Sequence, residues 1–379
     1  MSVKNLVAFT RVEDYEYQAV LHAVRRQFRL LGAAELVKPG IRVTVKPNLL
    51  MKREPQQHTT THPMVVRCVI EALQELGAGE ITIADSPGGP YTKGALEGIY
   101  SASGMKEAAS LTGAKLNFDT GWREVKCEDY RVCSGFNIID PVAGADLVVN
   151  LPKLKTHCMT TLSGGIKNLF GCVPGLQKPE LHYRFVEEER FCQMLLDLAQ
   201  TVSPAITLVD GIVAMEGDGP SGGTPRGTGF LAGSRDLFAL DVELARVLNL
   251  GEVKMLSLAA VRSLAPPEDL IERAGEPPAV IKDFRRPRSK SLDFLGSVPA
   301  PLRPVVRSLA GRFAKPSPKV EMKRCIGCGR CAQSCPAHTI KIDHGKAVID
   351  YKNCIRCYCC HEMCPPRAIG IKRLKLFDI

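Results

Sequence analysis

Short apolar runs alternate with helical patterns through roughly the first 250 residues of the chain. Five of these runs predict strands, at residues 6–10, 41–45, 81–85, 146–150 and 206–210. Apolar residues at helical spacing predict helices between them, at residues 16–31, 63–76, 190–202 and 237–248. Alternation of this kind predicts an α/β domain in which helices cover both faces of a largely parallel sheet.

The pattern changes twice beyond this region, which divides the chain into three predicted parts. We expect a Rossmann-like α/β domain over residues 1–255 and an irregular, proline-rich, basic connector over residues 256–318. Within the connector, residues 301–314 predict a short amphipathic helix. Residues 319–379 contain a hairpin around His344-Gly345 and predict a small α+β domain.

Composition narrows the class of protein. Apolar residues make up 45% of the 379 residues and charged residues 24%, as in a globular protein. The chain lacks an uninterrupted apolar run of about eighteen residues, so no transmembrane segment is expected. Its start lacks the charged and apolar segments of an export signal, so we expect a cytoplasmic protein.

The net charge of +10 is concentrated in one segment. Residues 282–324 contain twelve lysines and arginines against three acidic residues. We therefore do not expect nucleic-acid binding, because the basic excess lies outside the α/β domain and no recognised nucleic-acid motif accompanies it. The basic helix predicted at residues 301–314 has three interpretations. It packs on its own domain, it makes a peripheral contact with an anionic membrane, or it docks a partner.

The strongest chemical pattern is a repeated run of cysteines near the end of the chain. Each run has the spacing Cys-x2-Cys-x2-Cys-x3-Cys-Pro, and the eight residues are Cys325, Cys328, Cys331, Cys335, Cys354, Cys357, Cys360 and Cys364. This spacing is typical of two [4Fe–4S] clusters. Two zinc sites are the alternative, but zinc would leave the third cysteine and the Cys-Pro of each run unexplained.

The run resembles that of bacterial-type ferredoxins, and the resemblance covers about the last sixty residues. In two-cluster proteins of this kind, the fourth cysteine of each run binds the other cluster. That rule assigns Cys325, Cys328, Cys331 and Cys364 to one cluster, and Cys354, Cys357, Cys360 and Cys335 to the other. Cys359 breaks the register. We interpret it as a spare thiol, with a ligand role as the alternative.

Polar residues follow several predicted strands of the α/β domain. Lys46 and Asn48 follow the second strand, Asp85 the third, and Lys153 and Lys155 the fourth. A glycine-rich loop at residues 216–229 follows the fifth. Because parallel sheets bind ligands at the carboxyl ends of their strands, we expect these residues to line one crevice. Simple turns are the alternative for each loop.

Residues 153–175 are the richest of these segments. Ser163-Gly164-Gly165 precedes a predicted helix start whose free N–H groups would attract an anion, and Lys167 would add a positive charge. The P-loop spacing is absent. A tight surface turn with solvated lysines is the alternative interpretation.

Several motifs in residues 4–250 resemble the domain of unknown function 362 family. They are Lys46-Pro47-Asn48, Thr61-His62-Pro63, Asp85-Ser86-Pro87-Gly88, Pro152-Lys153-x-Lys155-Thr156-His157, Ser163-Gly164-Gly165-x-Lys167-Asn168 and residues 236–241. Members of that family are often joined to a ferredoxin module.

A second resemblance is confined to His157 and the segment Ser163-Gly164-Gly165-x-Lys167, which is similar to the lactate racemase family. It implies that His157 is a catalytic acid or base and that Lys167 is a catalytic residue anchoring a nucleotide-like nickel cofactor. His62 is the other candidate catalytic histidine.

Three functions remain open from the sequence. The first is an iron–sulfur oxidoreductase that passes electrons through the clusters to or from an anionic, small-molecule substrate held by the α/β domain. The second is a ferredoxin-type electron carrier or adaptor that serves a redox partner protein. The third is a non-redox enzyme resembling lactate racemase. Whether the chain is an enzyme is therefore not decided by its sequence.

Overall fold

The computed structural model describes residues 5–289 and 316–372 of the chain. The amphipathic helix expected at residues 301–314 lies outside these ranges and stays a prediction. The strands are β1 (Leu6–Arg11), β2 (Val43–Pro47), β3 (Ile81–Ile83), β4 (Lys115–Leu116), β5 (Trp122–Lys126), β6 (Gly135–Ile139), β7 (Leu147–Leu151), β8 (Lys153–His157), β9 (Thr161–Ser163), β10 (Ile206–Glu216), β11 (Thr224–Ser234), β12 (Glu272–Gly275), β13 (Ser317–Val320), β14 (Ile340–Asp343), β15 (Lys346–Ile349) and β16 (Ile369–Lys372).

The four predicted helices begin close to their predicted positions, and side-chain caps hold the first turns of three of them. They are α1 (Tyr17–Leu30), α2 (Pro63–Glu75), α3 (Lys93–Ala102), α4 (Met105–Thr112), α5 (Asp140–Ala143), α6 (Gly165–Asn168), α7 (Gln177–Arg184), α8 (Glu188–Val202), α9 (Leu237–Val247), α10 (Lys254–Val261), α11 (Arg330–Gln333) and α12 (Cys359–Glu362). The imidazole of His62 accepts a hydrogen bond from the N–H of Met64 at the start of α2. The carboxylate of Asp236 accepts two at the start of α9.

Ten strands in residues 5–289 form one sheet, in the order β12-β1-β11-β10-β7-β2-β3-β4, with β8 beside β10 and β9 beyond β8. The pairs from β10 through β4 are parallel, whereas β11 is antiparallel to both neighbours. Leu208 and Val209, which are consecutive in β10, belong to different buried cores. Helices therefore cover both faces, and the predicted largely parallel α/β sheet is confirmed.

Two predicted loops are strands instead. Residues 153–157, expected to be part of a loop, form β8, and all five are buried. Pro152 separates β7 from β8 because it has no N–H to donate, while its carbonyl accepts from Asp210. Strand β10 also runs six residues past its predicted end, so the glycine-rich loop expected at 216–229 shrinks to residues 217–223.

The segment expected to be an irregular connector is ordered in its first part. Helix α10 packs against α8, and β12 joins the sheet parallel to β1. Farther along, Arg285 binds the carboxylate of Glu216 at 2.7 Å. Residues 256–275 therefore extend the α/β structure, because their apolar side chains complete its core. The domain boundaries at 255 and 318 stay predictions.

Residues 317–372 form the C-terminal module. Strands β14 and β15 pair as the predicted hairpin, and β13 pairs with β16. The two short helices α11 and α12 each lie inside one cysteine run. The expected small α+β unit is therefore present in the described residues.

Candidate functional site

A cavity lies where the carboxyl ends of the central strands meet the C-terminal module. Its volume is about 80 Å³, room for a few water molecules or one small anion. The loops after β2 and β3, strand β8 and the α6 region form one wall, and α12 forms part of the other. The polar lining residues are Lys46, Asn48, Asp85, Ser86, Lys155, His157, Ser163, Lys167, Asn168, Lys178, His182, Ser334, Cys359 and Glu362.

Most residues predicted for the crevice meet at this cavity. Those that line it are Lys46, Asn48, Asp85, Lys155, His157, Ser163 and Lys167. Four others predicted for the site, His62, Lys153, Gly164 and Gly165, are not among the lining residues. The sheet thus gathers loops far apart in sequence, as expected for the ends of parallel strands.

Lys46 and Asp85 form a buried ion pair at the floor of the cavity. The Lys46 Nζ lies 2.7 Å from the Asp85 carboxylate, which also accepts from the N–H of Leu49. A side chain at Gly171 would collide with this pair, since a Cβ there would lie 2.1 Å from Asp85 Oδ1 and 2.6 Å from Lys46 Nζ. Lys46 is therefore partly neutralised by the protein itself.

Lys155 reaches the cavity from β8. Its Nζ donates to the Asn48 side-chain oxygen and to the Thr59 carbonyl, both at 2.8 Å. Burial, reinforced by the charge of Lys153, lowers the pKa of Lys155 to about 7. Without a carboxylate partner in the described residues, this ammonium would gain stability from an anionic ligand.

Lys167 is the cation with the fewest protein contacts at the site. Its Nζ lies 4.6 Å from the centre of the Phe170 ring, and no hydrogen bond or ion pair of its side chain is present within residues 5–289 and 316–372. Burial lowers its pKa, and Glu362 opposes that change. Lys167 is thus available to bind an anion.

His157 faces Glu362 of the C-terminal module across the cavity. The His157 Nδ1 accepts from the N–H groups of Met159 and Thr160, so the neutral ring carries its proton on Nε2. That Nε2 lies 3.1 Å from Glu362 Oε1. Neither atom has a well-aligned hydrogen bond within the described residues. The two atoms contact each other, and a ligand in the cavity would compete for both of them.

The charge states at this contact follow from burial and from the nearby lysine. Burial lowers the pKa of His157, although Glu362 opposes that effect. Burial raises the pKa of Glu362, but His157 and Lys167 outweigh it and hold that pKa at about 2. Glu362 is therefore an anion, and a neutral His157 can donate from Nε2.

Seven of the polar lining residues were not predicted as site residues from the sequence: Ser86, Asn168, Lys178, His182, Ser334, Cys359 and Glu362. The Lys178 Nζ donates to Ser86 Oγ at 3.0 Å, and burial lowers its pKa to about 7. Burial also lowers the pKa of His182 to about 3, and its Nδ1 lacks a hydrogen-bond partner in the described residues. Lys178 and His182 are four residues apart and lie on the same side of α7. That spacing is the sequence pattern that could have identified them as site residues.

The helix start after Ser163 does bind an anion, but that anion is internal. The Asp241 carboxylate accepts from the N–H groups of Gly165 at 2.6 Å and Ile166 at 3.0 Å. A Cβ at Gly164 would lie 2.3 Å from Asp241 Oδ1, which explains the glycine. Burial raises the pKa of Asp241 to about 7 against the effect of these donors. Asp241 occupies these N–H groups in the structure, and their expected role in binding an external ligand stays a prediction.

His62 and Lys153 belong to a separate buried cluster. The Lys153 Nζ donates to Tyr15 Oη at 2.6 Å and to Asp210 at 2.8 Å. The His62 ring stacks on Tyr15 with 3.7 Å between centroids, and its Nδ1 caps α2. These side chains satisfy one another and support the sheet edge. The structure does not bring His62 to the cavity.

Comparison with known families explains this arrangement of motifs. Residues 43–246, more than half of the chain, match the model of a domain of unknown function (DUF362). The chain belongs to the DUF362 family. Residues 317–365 match the model of a 4Fe-4S dicluster domain. The protein is therefore an iron–sulfur protein in which a ferredoxin-like module follows a DUF362 domain.

Two individual proteins are similar to the chain. The thylakoid-associated protein sll1697 from Synechocystis sp. (strain ATCC 27184 / PCC 6803 / Kazusa) is 36% identical over 263 residues, covering 68% of this chain and 79% of that protein. The lactate racemase apoprotein from Thermoanaerobacterium thermosaccharolyticum aligns structurally with a TM-score of 0.41 and 13% identity. That alignment covers 66% of this chain and 58% of the racemase, less than two thirds of its length.

The cysteines beyond the DUF362 domain fit an iron–sulfur cofactor. Backbone N–H groups point at three of the sulfurs, with Thr339 donating to Cys335, Ala347 to Cys325 and Ala368 to Cys364. Bonds of this kind stabilise and tune cluster thiolates. The match of residues 317–365 to the 4Fe-4S dicluster model favours iron–sulfur clusters over the zinc alternative.

The DUF362 domain holds α12 through the backbone of the module. Ser221 Oγ donates to the Glu362 carbonyl at 2.9 Å, and Arg53 donates to the Cys364 carbonyl at 3.3 Å. The His361 Nε2 lies 3.1 Å from the Asp218 carbonyl. These contacts fix Glu362 against the cavity.

Among the described helices, none combines the length and apolar character needed to cross a membrane.

Proposed function

We propose that the protein is an iron–sulfur oxidoreductase that exchanges electrons with a small anion bound in the cavity. One observation carries the proposal: the cavity wall contains α12, a helix inside the second cysteine run. Cys359 and Glu362 of that helix line the same space as His157 and Lys167. A ligand there would lie between the DUF362 domain and the residues that hold a cluster.

The cluster assignment from the sequence is part of this proposal. Two [4Fe–4S] clusters, when bound, supply one electron each. The cysteines of the outer group would be Cys325, Cys328, Cys331 and Cys364. Those of the inner group, beside the cavity, would be Cys354, Cys357, Cys360 and Cys335. Cys359 and Ser334 line the cavity and are sequence neighbours of two inner-group cysteines, Cys360 and Cys335.

The chain's own side chains give the anion its place and its proton. Four lysines line the cavity against the two carboxylates of Asp85 and Glu362, so the lining favours negative charge. Lys167 binds the anion, and Lys155 supports it. His157 donates from Nε2, which its Nδ1 contacts keep protonated. The side chains of Lys155 and His157 are buried, which strengthens these interactions.

A nucleotide-like or nickel cofactor does not fit the cavity. Pockets for ligands of that size have volumes of roughly 300–1,000 Å³, against the 80 Å³ here. Within the described residues, no set of three metal-binding side chains surrounds Lys167. We therefore propose that Lys167 binds the anionic substrate directly.

The experiment uses anaerobically purified protein and the Lys167→Ala variant. Co-purifying small molecules are identified by mass spectrometry, and binding of phosphate and small carboxylates is measured by calorimetry. We expect the variant to lose ligand binding while it keeps about eight iron atoms per chain. Lys93→Ala, at an exposed lysine of α3, is the matched control. Unchanged ligand binding in Lys167→Ala would overturn the proposed site.

Two further measurements separate the other candidate functions. An oxidoreductase should have its reduced clusters reoxidised by the small molecule alone, whereas a carrier or adaptor needs a protein partner. A non-redox, racemase-like enzyme should still turn over after Cys354→Ala. Loss of turnover in that variant, with ligand binding retained, supports the redox function.

A further inference from the structure

The surface around Cys328 combines exposed apolar and basic residues. Cys328 is exposed, and the side chains of Ile326 and Met322 are 68% and 51% exposed. Gly327 has a φ of +68°, and a Cβ there would lie 2.3 Å from the Gly345 carbonyl, so the loop packs against the β14–β15 hairpin. This packing holds the Cys328 loop at the surface. Met322 and Ile326 therefore leave apolar surface exposed on the same segment as Cys328.

The same stretch is basic. Lys323, Arg324 and Arg330 are exposed, and the carboxylate of Glu321 forms an ion pair with Arg324 at 3.6 Å. Arg324 also donates to the Pro366 carbonyl at 3.0 Å, which places Arg367 beside it. Within residues 5–289 and 316–372, Lys323, Arg330 and Arg367 have no carboxylate within ion-pair distance.

The individual cysteines differ in their surroundings. Ser334 and Cys359, neighbours of inner-group cysteines, line the cavity, as does Met363, the neighbour of Cys364 in the outer group. Cys328 of the outer group instead faces solvent among basic and apolar residues. A protein that transfers electrons through this ligand needs an apolar contact for close approach and charge for orientation. We call the surface formed by Met322, Lys323, Arg324, Ile326, Cys328 and Arg330 the Cys328 face.

We propose that the Cys328 face is the docking surface for an acidic one-electron carrier protein. The inference rests on the proposed assignment of Cys328 as a cluster ligand, but not on the cavity ligand. In each encounter one electron passes between the carrier and the outer cluster. The donor is oxidised by one electron, the acceptor is reduced by one, and no covalent bond changes. Electrons would then reach the cavity only through the inner cluster.

The test uses the anaerobic full-length protein and the triple variant Lys323→Glu, Arg324→Glu and Arg330→Glu. An acidic flavodoxin is the protein probe. Its hydroquinone reduces the clusters in stopped-flow experiments, and its oxidised form is titrated by calorimetry. The methyl viologen radical cation is the small, positively charged probe. A second variant, Lys38→Glu, Lys93→Glu and Lys126→Glu, changes the net charge equally at exposed positions away from the module.

We expect the Cys328-face variant to lower the flavodoxin rate about tenfold at low salt and to weaken flavodoxin binding similarly. Its rate with methyl viologen should not fall, and high salt should remove the difference between the two variants. Iron content and cluster potentials are measured in parallel. An equal effect of both variants, or a potential shift that accounts for the slower rate, would overturn the docking surface. Loss of cavity ligand binding in Lys167→Ala does not bear on this result.

Discussion

The two walls of the cavity are built in different ways. On the α/β side, Lys46, Lys155 and Lys178 each contact two oxygen atoms supplied by strands and loops of a large sheet. On the other side, the core of the C-terminal module contains as many cysteines as other residues. Its buried members are Cys325, Cys331, Cys335, Ile340, Ala347, Ile349, Cys360, Cys364, Ala368 and Ile369. The first wall depends on packing, whereas the second depends on what the cysteines bind.

Iron removal should have the largest effect of the changes considered, and it should affect the two walls differently. We expect chelation under reducing conditions to unfold residues 316–372, because little apolar surface remains to hold them together. Residues 5–289 should keep their fold. Hydrogen–deuterium exchange with peptide resolution measures both regions at once, and peptides from β10 and α8 serve as the internal reference. If α12 stayed protected from hydrogen exchange without iron, the two walls would not differ in their dependence on the metal.

The substitution Gly171→Ala tests the opposite wall. The new Cβ would collide with Asp85 and Lys46 and break a buried ion pair, so we expect the free energy of unfolding of the α/β domain to fall by about 3–5 kcal/mol. Gly98→Ala is the control, since a Cβ at this position of α3 meets no atom within 4 Å. That change should raise stability by about 0.5–1 kcal/mol. Urea unfolding followed by circular dichroism measures both, and a neutral Gly171→Ala would contradict the pairing.

The smallest expected effect is the dependence of anion affinity and of stability on pH. Burial lowers the pKa values of Lys155 and Lys178 to about 7, so both lose their charge as the pH rises above that value. Anion affinity should then fall by up to about tenfold per pH unit for each lysine that must regain its proton. The unfolded chain binds more protons than the folded one between about pH 7 and 10.4, so the stability of the ligand-free protein should rise over that range.

Calorimetry of phosphate or carboxylate binding between pH 6 and 9 checks this dependence. Lys178→Met should reduce the dependence of anion affinity on pH by the contribution of one lysine. Lys93→Met should leave that dependence unchanged. A flat profile in the unchanged protein would mean that the buried lysines do not bind the anion.

The regular parts of the fold were accessible from the sequence. Apolar periodicity placed the five main strands and four helices because burial on both faces of a sheet leaves continuous apolar runs. Cysteine spacing identified the module because cluster geometry fixes the intervals. Strand β8 was missed because its Lys-Leu-Lys-Thr-His sequence alternates like an exposed segment. Its Lys155 and His157 are buried at the cavity, and its Lys153 is buried against Tyr15 and Asp210.

The remaining site residues depend on contacts that no local pattern encodes. Glu362 meets His157 across 205 positions of sequence, and only the docking of α12 brings them together. Asp241 accepts hydrogen bonds from the N–H groups that the Ser163-Gly164-Gly165 motif predicted as ligand-binding. In both cases, a carboxylate from a distant segment decided which donors stay free.

The position of α12 also affects how ligands for this protein should be sought. Because this helix is both part of a cysteine run and part of the cavity wall, oxygen damage at the metal centre would open the binding site. A compound screen on aerated protein would then sample a surface that the intact molecule does not present. Binding results are therefore meaningful only for samples with an intact metal centre. The ratio of iron to protein should be measured in every sample before any binding result is interpreted.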